Sequence, residues 1–137
     1  MAGKIEHDSL RAKNALQLVN LMKYIRDRFG CIVFSFGDMN SLRSSQAFSV
    51  VYVVAGLKHL YDMAEIKDDI CTIHGNPVAD EKGMYHGNEP VMDSSNSIDH
   101  ILALGDMFKV NCYRVVTDKV ALDATDHSPV YADVELL

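Results

Sequence analysis

The chain has 137 residues, enough for one domain and short for two. With 48% hydrophobic and 23% charged residues it has the balance of a globular protein, not a disordered one. Thirteen Lys and Arg against nineteen Asp and Glu give a formal net charge of −6, which argues against a basic coat for nucleic acid and leaves room only for a local basic groove.

No apolar run approaches the roughly 18 residues of a membrane span. Residues 1–8 hold no hydrophobic stretch that would serve as a signal peptide, which leans toward the cytoplasm. Cys31, Cys71 and Cys112 are widely spaced, form no Cys-x-x-Cys pair and sit in or beside apolar stretches. They read as buried free thiols rather than as a disulfide or metal ligands.

Residues 8–29 read as an amphipathic helix. Ala15, Leu18, Val19, Met22, Ile25 and Phe29 recur at spacings of three and four, with Asp8 or Ser9 as cap and Gly30 as stop. Residues 31–36 (Cys-Ile-Val-Phe-Ser-Phe) read as a strand buried on both faces. Residues 44–56 fit strand by β-branched content and helix by periodicity equally well. Leu60–Glu65 reads as a helical turn and 70–74 as a strand. Residues 75–96 form a long Gly-, Asn- and Asp-rich loop, of the length that often carries function.

Three strands follow, at 98–104, 108–116 and 130–136. In the second, Val110, Cys112 and Arg114 fall on one side. The third alternates Val130, Ala132, Val134 and Leu136 against Tyr131, Asp133 and Glu135.

Polar groups cluster where these strands begin or end. Gly37-Asp38-Met39-Asn40 follows the first strand, Ser97-Ile98-Asp99-His100 opens a later one, and Thr125-Asp126-His127-Ser128-Pro129 precedes the last. Strand ends deliver residues to the sheet edge where ligands bind in many α/β folds. Carboxylates there suit a hard cation, and a His beside a carboxylate suits proton transfer or charge stabilisation. Each also has a plain reading. Asp38 and Asn40 could make an Asx turn, Asp99 could end a strand, and Thr125-Asp126 could be an ordinary turn. His59, His86 and His100 read as surface or packing residues. His74, at the start of the long loop, is a candidate substrate contact.

Taken together, these motifs resemble the C-terminal half of the endonuclease/exonuclease/phosphatase family, the deoxyribonuclease-like metal-dependent phosphoesterases. The match is carried by Ile32 to Asn40 with its Gly-Asp-x-Asn end, by Ser44 to Met63 with its Gly-Leu…Asp segment, by Ser97-Ile-Asp-His-Ile-Leu102, and by Thr125-Asp-His-Ser-Pro-Val130. The run Tyr113-Arg-Val-Val-Thr-Asp118 adds to it.

The resemblance implies an α/β chain forming half of a four-layer sandwich, a mixed sheet with helices on one face, and it makes residues 44–56 a helix. It implies metal-dependent phosphoester hydrolysis with Mg²⁺, or Mn²⁺ in its place. Asp38 would activate water and, with Asp126, face the metal. Asn40 would hold a phosphate oxygen, His127 would contact the scissile phosphate, and Asp99 would fix the His127 tautomer.

Family members are about twice as long, and their N-terminal half supplies an Asn and a metal-binding Glu with no counterpart in these 137 residues. At the family's Thr-His-x-Asp-His position stands Gly3-Lys-Ile-Glu-His7. Two expectations follow: the cation is held weakly, and the apolar sheet face left open pairs with a second copy as a homodimer. The alternative to an enzyme is a catalytically incomplete homologue acting as a binding or dimerisation module.

Overall fold

The computed structural model describes the backbone from Ala2 and the side chains from His7 to Leu137. α1 (Ala2–Phe29) is followed by β1 (Val33–Asp38), a π-helical segment at Ala47–Tyr52, β2 (Lys58–His59), α2 (Leu60–Met63) and β3 (Ile66–Lys67). A small hairpin, β4 (Val78–Ala79) with β5 (Tyr85–His86), lies within the long loop. After a 3-10 turn at Ser94–Asn96 come β6 (Asp99–Leu104), β7 (Phe108–Val115), α3 (Lys119–Ala124) and β8 (Val130–Leu136).

The architecture is mixed α/β. One sheet has the order β1-β6-β2, all antiparallel; a second has the order β3-β7-β8, with β3 parallel and β8 antiparallel to β7. No helix among the described residues is long and apolar enough to cross a membrane.

The stripe on α1 packs as its spacing predicts from Ala15 to Ile25, while Phe29 at its end is 70% exposed. Ala15, Val19 and Met22 are buried against Val33 of β1, Leu102 and Leu104 of β6, and Phe48 and Tyr52 of the π-helical segment. The helix begins earlier than its sequence pattern suggests, at Ala2, so Asp8 and Ser9 lie inside it and not at its N-cap. Asp8 pairs instead with Arg11 one turn on, at 3.3 Å. Gly30 ends the helix at φ 63°, a left-handed position that favours glycine, with its N–H bonded to the Arg26 carbonyl.

β1 departs from the reading as a doubly buried strand. Val33 faces the α1 core, but Phe34 is 37% and Phe36 78% exposed. Antiparallel register sets Phe34 opposite Ala103, Phe36 opposite Ile101 and Asp38 opposite Asp99, all on the face away from α1. That face is covered only in part, by a second core around Leu60, Ala103, Phe108, Val110 and Tyr113. Phe34, Phe36, Leu60, Ile101, Ala132 and Val134 line an open apolar groove of ≈ 280 Å³.

Other sequence expectations shift for local reasons. Residues 47–52 are helical, with wide i to i−5 bonds from Val53 N–H to Phe48 and from Leu57 N–H to Tyr52. Residues 70–74 form no strand beyond a single bridge between Ile73 and His127. In β7 a bulge between Val110 and Cys112 turns the alternation over, so Tyr113 and Val115, not Cys112 and Arg114, share the buried side with Val110. The cysteines are free, but only Cys71 is buried; Cys112 is half-buried and Cys31 exposed, because Cys31 precedes β1 outside both cores.

Candidate active site

The end of β1 carries the first component. Asp38 Oδ1 accepts the backbone N–H of Asn40 at 2.8 Å, and Asp38 Oδ2 lies 3.3 Å from the Asn40 amide nitrogen. This is an Asx turn, and it holds Asn40 at φ 48°, a left-handed position that Asn tolerates better than most residues. The turn is tied to β6 by the Met39 N–H donating to the Ile98 carbonyl at 2.9 Å.

The second component joins β6 to the loop before β8. His127 Nδ1 donates to Asp99 Oδ2 at 2.8 Å, and His127 Nε2 lies 4.0 Å from Asp126 Oδ2. The Asp99 bond fixes the ring orientation and leaves Nε2 directed toward Asp126 and solvent. The loop is pinned from behind by the Ile73–His127 bridge, by the His74 N–H donating to the Asp126 carbonyl, and by the Ser128 N–H donating to the Thr72 carbonyl.

Thr72 is the brace that sequence reading missed. It is 1% exposed, and its Oγ1 accepts the N–H groups of both Ile98 and Asp99 at 3.3 Å. Its own N–H donates to Ser97 Oγ. One residue thus links the start of β6 to the His127 loop. Thr72→Val keeps the shape but strips the acceptor from two N–H groups. It is expected to cost about 1–3 kcal/mol, read as a lower urea midpoint at unchanged m-value.

Charge accumulates at this edge. Burial works against protonation of His127, but the Asp99 hydrogen bond and the charges of Asp99, Asp126 and Asp38 outweigh it and hold its pKa above the ordinary histidine value. Asp38, Asp99, Asp126 and His127 are therefore one electrostatic group. Asn40 joins them through Asp38.

Two clefts open beside it. Phe36, Asp99, Ile101, His127 and Pro129 border one of ≈ 190 Å³. The other, of ≈ 320 Å³, is lined by Asp38 and Asn40 together with Arg11 and Asn14 of α1. Arg11 and Asn14 carried no signal in the sequence beyond lying on the polar side of a helix. His74 is 7% exposed and has no hydrogen-bonding partner on either ring nitrogen among the described residues, so it stands behind the loop, joined to the group by its backbone. His86 is exposed and pairs with Asp80 on the β4–β5 hairpin. His59 and His100 meet in a part-buried contact.

The donors do not make a complete cation site. Among the described residues, no group of three His, Cys, Asp or Glu side chains converges as a metal would require. Asp38 and Asp126 offer two carboxylates. Glu6, the acidic residue of the Gly3–His7 stretch, has a side chain outside the described residues.

Structural comparison places the fold among known ones. The chain superposes on a mannosyl-6-phosphatase from Bacteroides thetaiotaomicron with a TM-score of 0.70 at 19% identity, over 92% of this chain and 46% of that one. The fold is that of the endonuclease/exonuclease/phosphatase family. Two further proteins with this fold match similarly. One, from B. thetaiotaomicron, has a TM-score of 0.69 at 19% identity, over 93% of this chain and 44% of that one. The other, from Bacteroides vulgatus, has a TM-score of 0.65 at 18% identity, over 95% and 45%. The chain thus spans less than half the length of these endonuclease/exonuclease/phosphatase structures. No protein-family model and no curated protein sequence matches it.

Proposed function

We propose that this chain carries the phosphate-handling part of a phosphoester hydrolase. The observation that carries the reading is the Asp99–His127 pair at 2.8 Å, set beside Asp126 and Asp38 at the edge of this fold. A histidine held by one carboxylate, with its pKa raised by the hydrogen bond and charge of Asp99 and by the charges of Asp126 and Asp38, suits the neutralisation of charge on a phosphoryl group. His127 Nε2–H donates to a phosphate oxygen, Asp99 keeps the ring in place, and Asn40 holds a second oxygen through its amide. Asp38 orients the attacking water. His74, whose ring nitrogens retain their hydrogen-bonding capacity, is kept as a substrate contact beneath the loop.

Asp126 and Asp38 are the carboxylates that Mg²⁺ or Mn²⁺ would use. Two carboxylates hold such an ion weakly, so a further ligand comes from Glu6 or from a second copy of the chain. We also read the chain as one domain forming half of a four-layer sandwich, its open sheet face covered by that second copy.

The test is hydrolysis of a generic phosphomonoester and phosphodiester with and without Mg²⁺. Turnover by the purified chain supports the reading. The absence of turnover in either condition overturns it and leaves a binding or dimerisation module.

A further inference from the structure

His59 of β2 and His100 of β6 lie on the rear of their sheet, outside the Asp38–Asp99–Asp126–His127 group. We propose that they are positioning residues for the Asp38–Asn40 turn, joined in a neutral, one-way hydrogen-bond chain that runs from α2 to the Ser41 carbonyl. The inference rests on the reading of Asp38 and Asn40 as site residues.

The proton positions follow from groups whose roles are fixed. The Tyr61 backbone N–H donates to His59 Nδ1 at 3.1 Å, so that nitrogen is an acceptor and the His59 proton sits on Nε2. Nε2 lies 2.9 Å from His100 Nδ1 and donates to it. His100 therefore carries its own proton on Nε2, 2.8 Å from the Ser41 carbonyl, which only accepts. This is the single pair of neutral tautomers that satisfies all three contacts. Added charge has no place in the chain, because a proton on either Nδ1 would set N–H against N–H.

The surroundings reinforce neutrality. His100 is 2% exposed, and the Phe48 ring meets it edge-on at 4.5 Å. Burial, the neighbouring His100 and Arg43 hold the His59 pKa down to about 3.

The placement gives the chain its purpose. Register alternation on β6 sends Asp99 to the open face, opposite Asp38, and His100 to the rear, opposite Gly37. The carbonyl gripped by His100 belongs to the residue after Asn40, which is held in a left-handed conformation. Arg43 clamps the same loop to α2, bonding Asp62 at 2.8 Å and lying over the Tyr61 ring at 4.3 Å. Both ties run to α2, so the turn bearing Asp38 and Asn40 is referenced to a packed element and not to solvent.

The experiment uses the full chain and nitrogen NMR, with His100→Phe and His100→Gln beside the parent. In the parent, both rings are expected to be protonated on Nε2 alone between about pH 5 and 8, with scalar coupling between His59 Nε2 and His100 Nδ1. In His100→Phe, amide exchange of Asn40 is expected to speed at least ~10-fold while Leu102 is unchanged. Where phosphoester turnover is present, kcat falls roughly 10–10²-fold with KM little changed. His100→Gln, which restores a donor to Ser41, recovers most of both.

A protonated Nδ1 on either ring overturns the proposal, as does an Asn40 amide in His100→Phe no faster than in the parent. Should His100→Phe fail to fold, the parent tautomers and coupling still decide. A parent chain without hydrolytic activity removes the proposed function and leaves these NMR outcomes to judge the positioning on their own.

Discussion

His127→Ala is expected to lower phosphoester hydrolysis by roughly 10²–10⁴-fold, the range for a positioned acid–base group. The side chain is half-buried at the sheet edge and is not a member of either hydrophobic core, so the fold should survive the change. Asp99→Asn isolates the second half of the argument. It keeps the volume but removes the charge that orients the ring, and a smaller loss of roughly 10–10²-fold is expected.

The pH dependence follows from the sign of the shift. The folded pKa of His127 lies above its ordinary value, so the imidazolium persists to higher pH than in the unfolded chain. Stability and activity that depend on the charged form are complete below the unfolded pKa and fall as pH rises through the raised folded value. In Asp99→Asn the falling limb of kcat/KM moves to lower pH, in step with an NMR titration of His127. A His127→Ala chain as fast as the parent, or a limb unmoved by Asp99→Asn, would sink the assignment.

The sequence showed the polar cluster more clearly than the burial of the elements around it. Asp38, Asn40, Asp99, Asp126 and His127 stand in short local motifs at strand ends, and strand register then brings Asp38 and Asp99 side by side. The plain reading of Asp38–Asn40 as an Asx turn is also present in the structure; the turn is how the two residues are held. Thr72 stayed hidden because its role depends on two segments far from it in sequence meeting at its hydroxyl and carbonyl. His100 read as a packing residue, since neither its link to His59, 41 residues away, nor its grip on Ser41 leaves a local pattern. β1 misled in a different way. An unbroken apolar run fits a strand enclosed on both sides, and equally a strand whose second face waits for cover.

That uncovered face gives the second large prediction: Phe36→Asp is expected to turn a dimer into a monomer. Phe36 is 78% exposed and continues into Phe34, Ile101, Ala132 and Val134, an apolar surface of the kind that seldom faces water in a monomer. A two-fold pairing of this face with itself buries the same residues on both copies, so a single substitution acts twice. Truncating a central aromatic at an interface costs at least about 2 kcal/mol, and burying an unpaired carboxylate adds to it. The dimer dissociation constant should therefore rise by at least roughly 30-fold. Tyr131→Asp is the control. Tyr131 is 52% exposed and alternates onto the other side of β8, away from Ala132 and Val134, so it should leave assembly unchanged. Sedimentation of the parent as a monomer at roughly micromolar concentration would defeat the pairing. Because the apolar strip on β1 and β6 ends at Asp38 and Asp99, loss of assembly in Phe36→Asp should lower Mg²⁺-dependent turnover as well. Retained turnover in a monomeric Phe36→Asp chain would mean that no ligand from a second copy is needed.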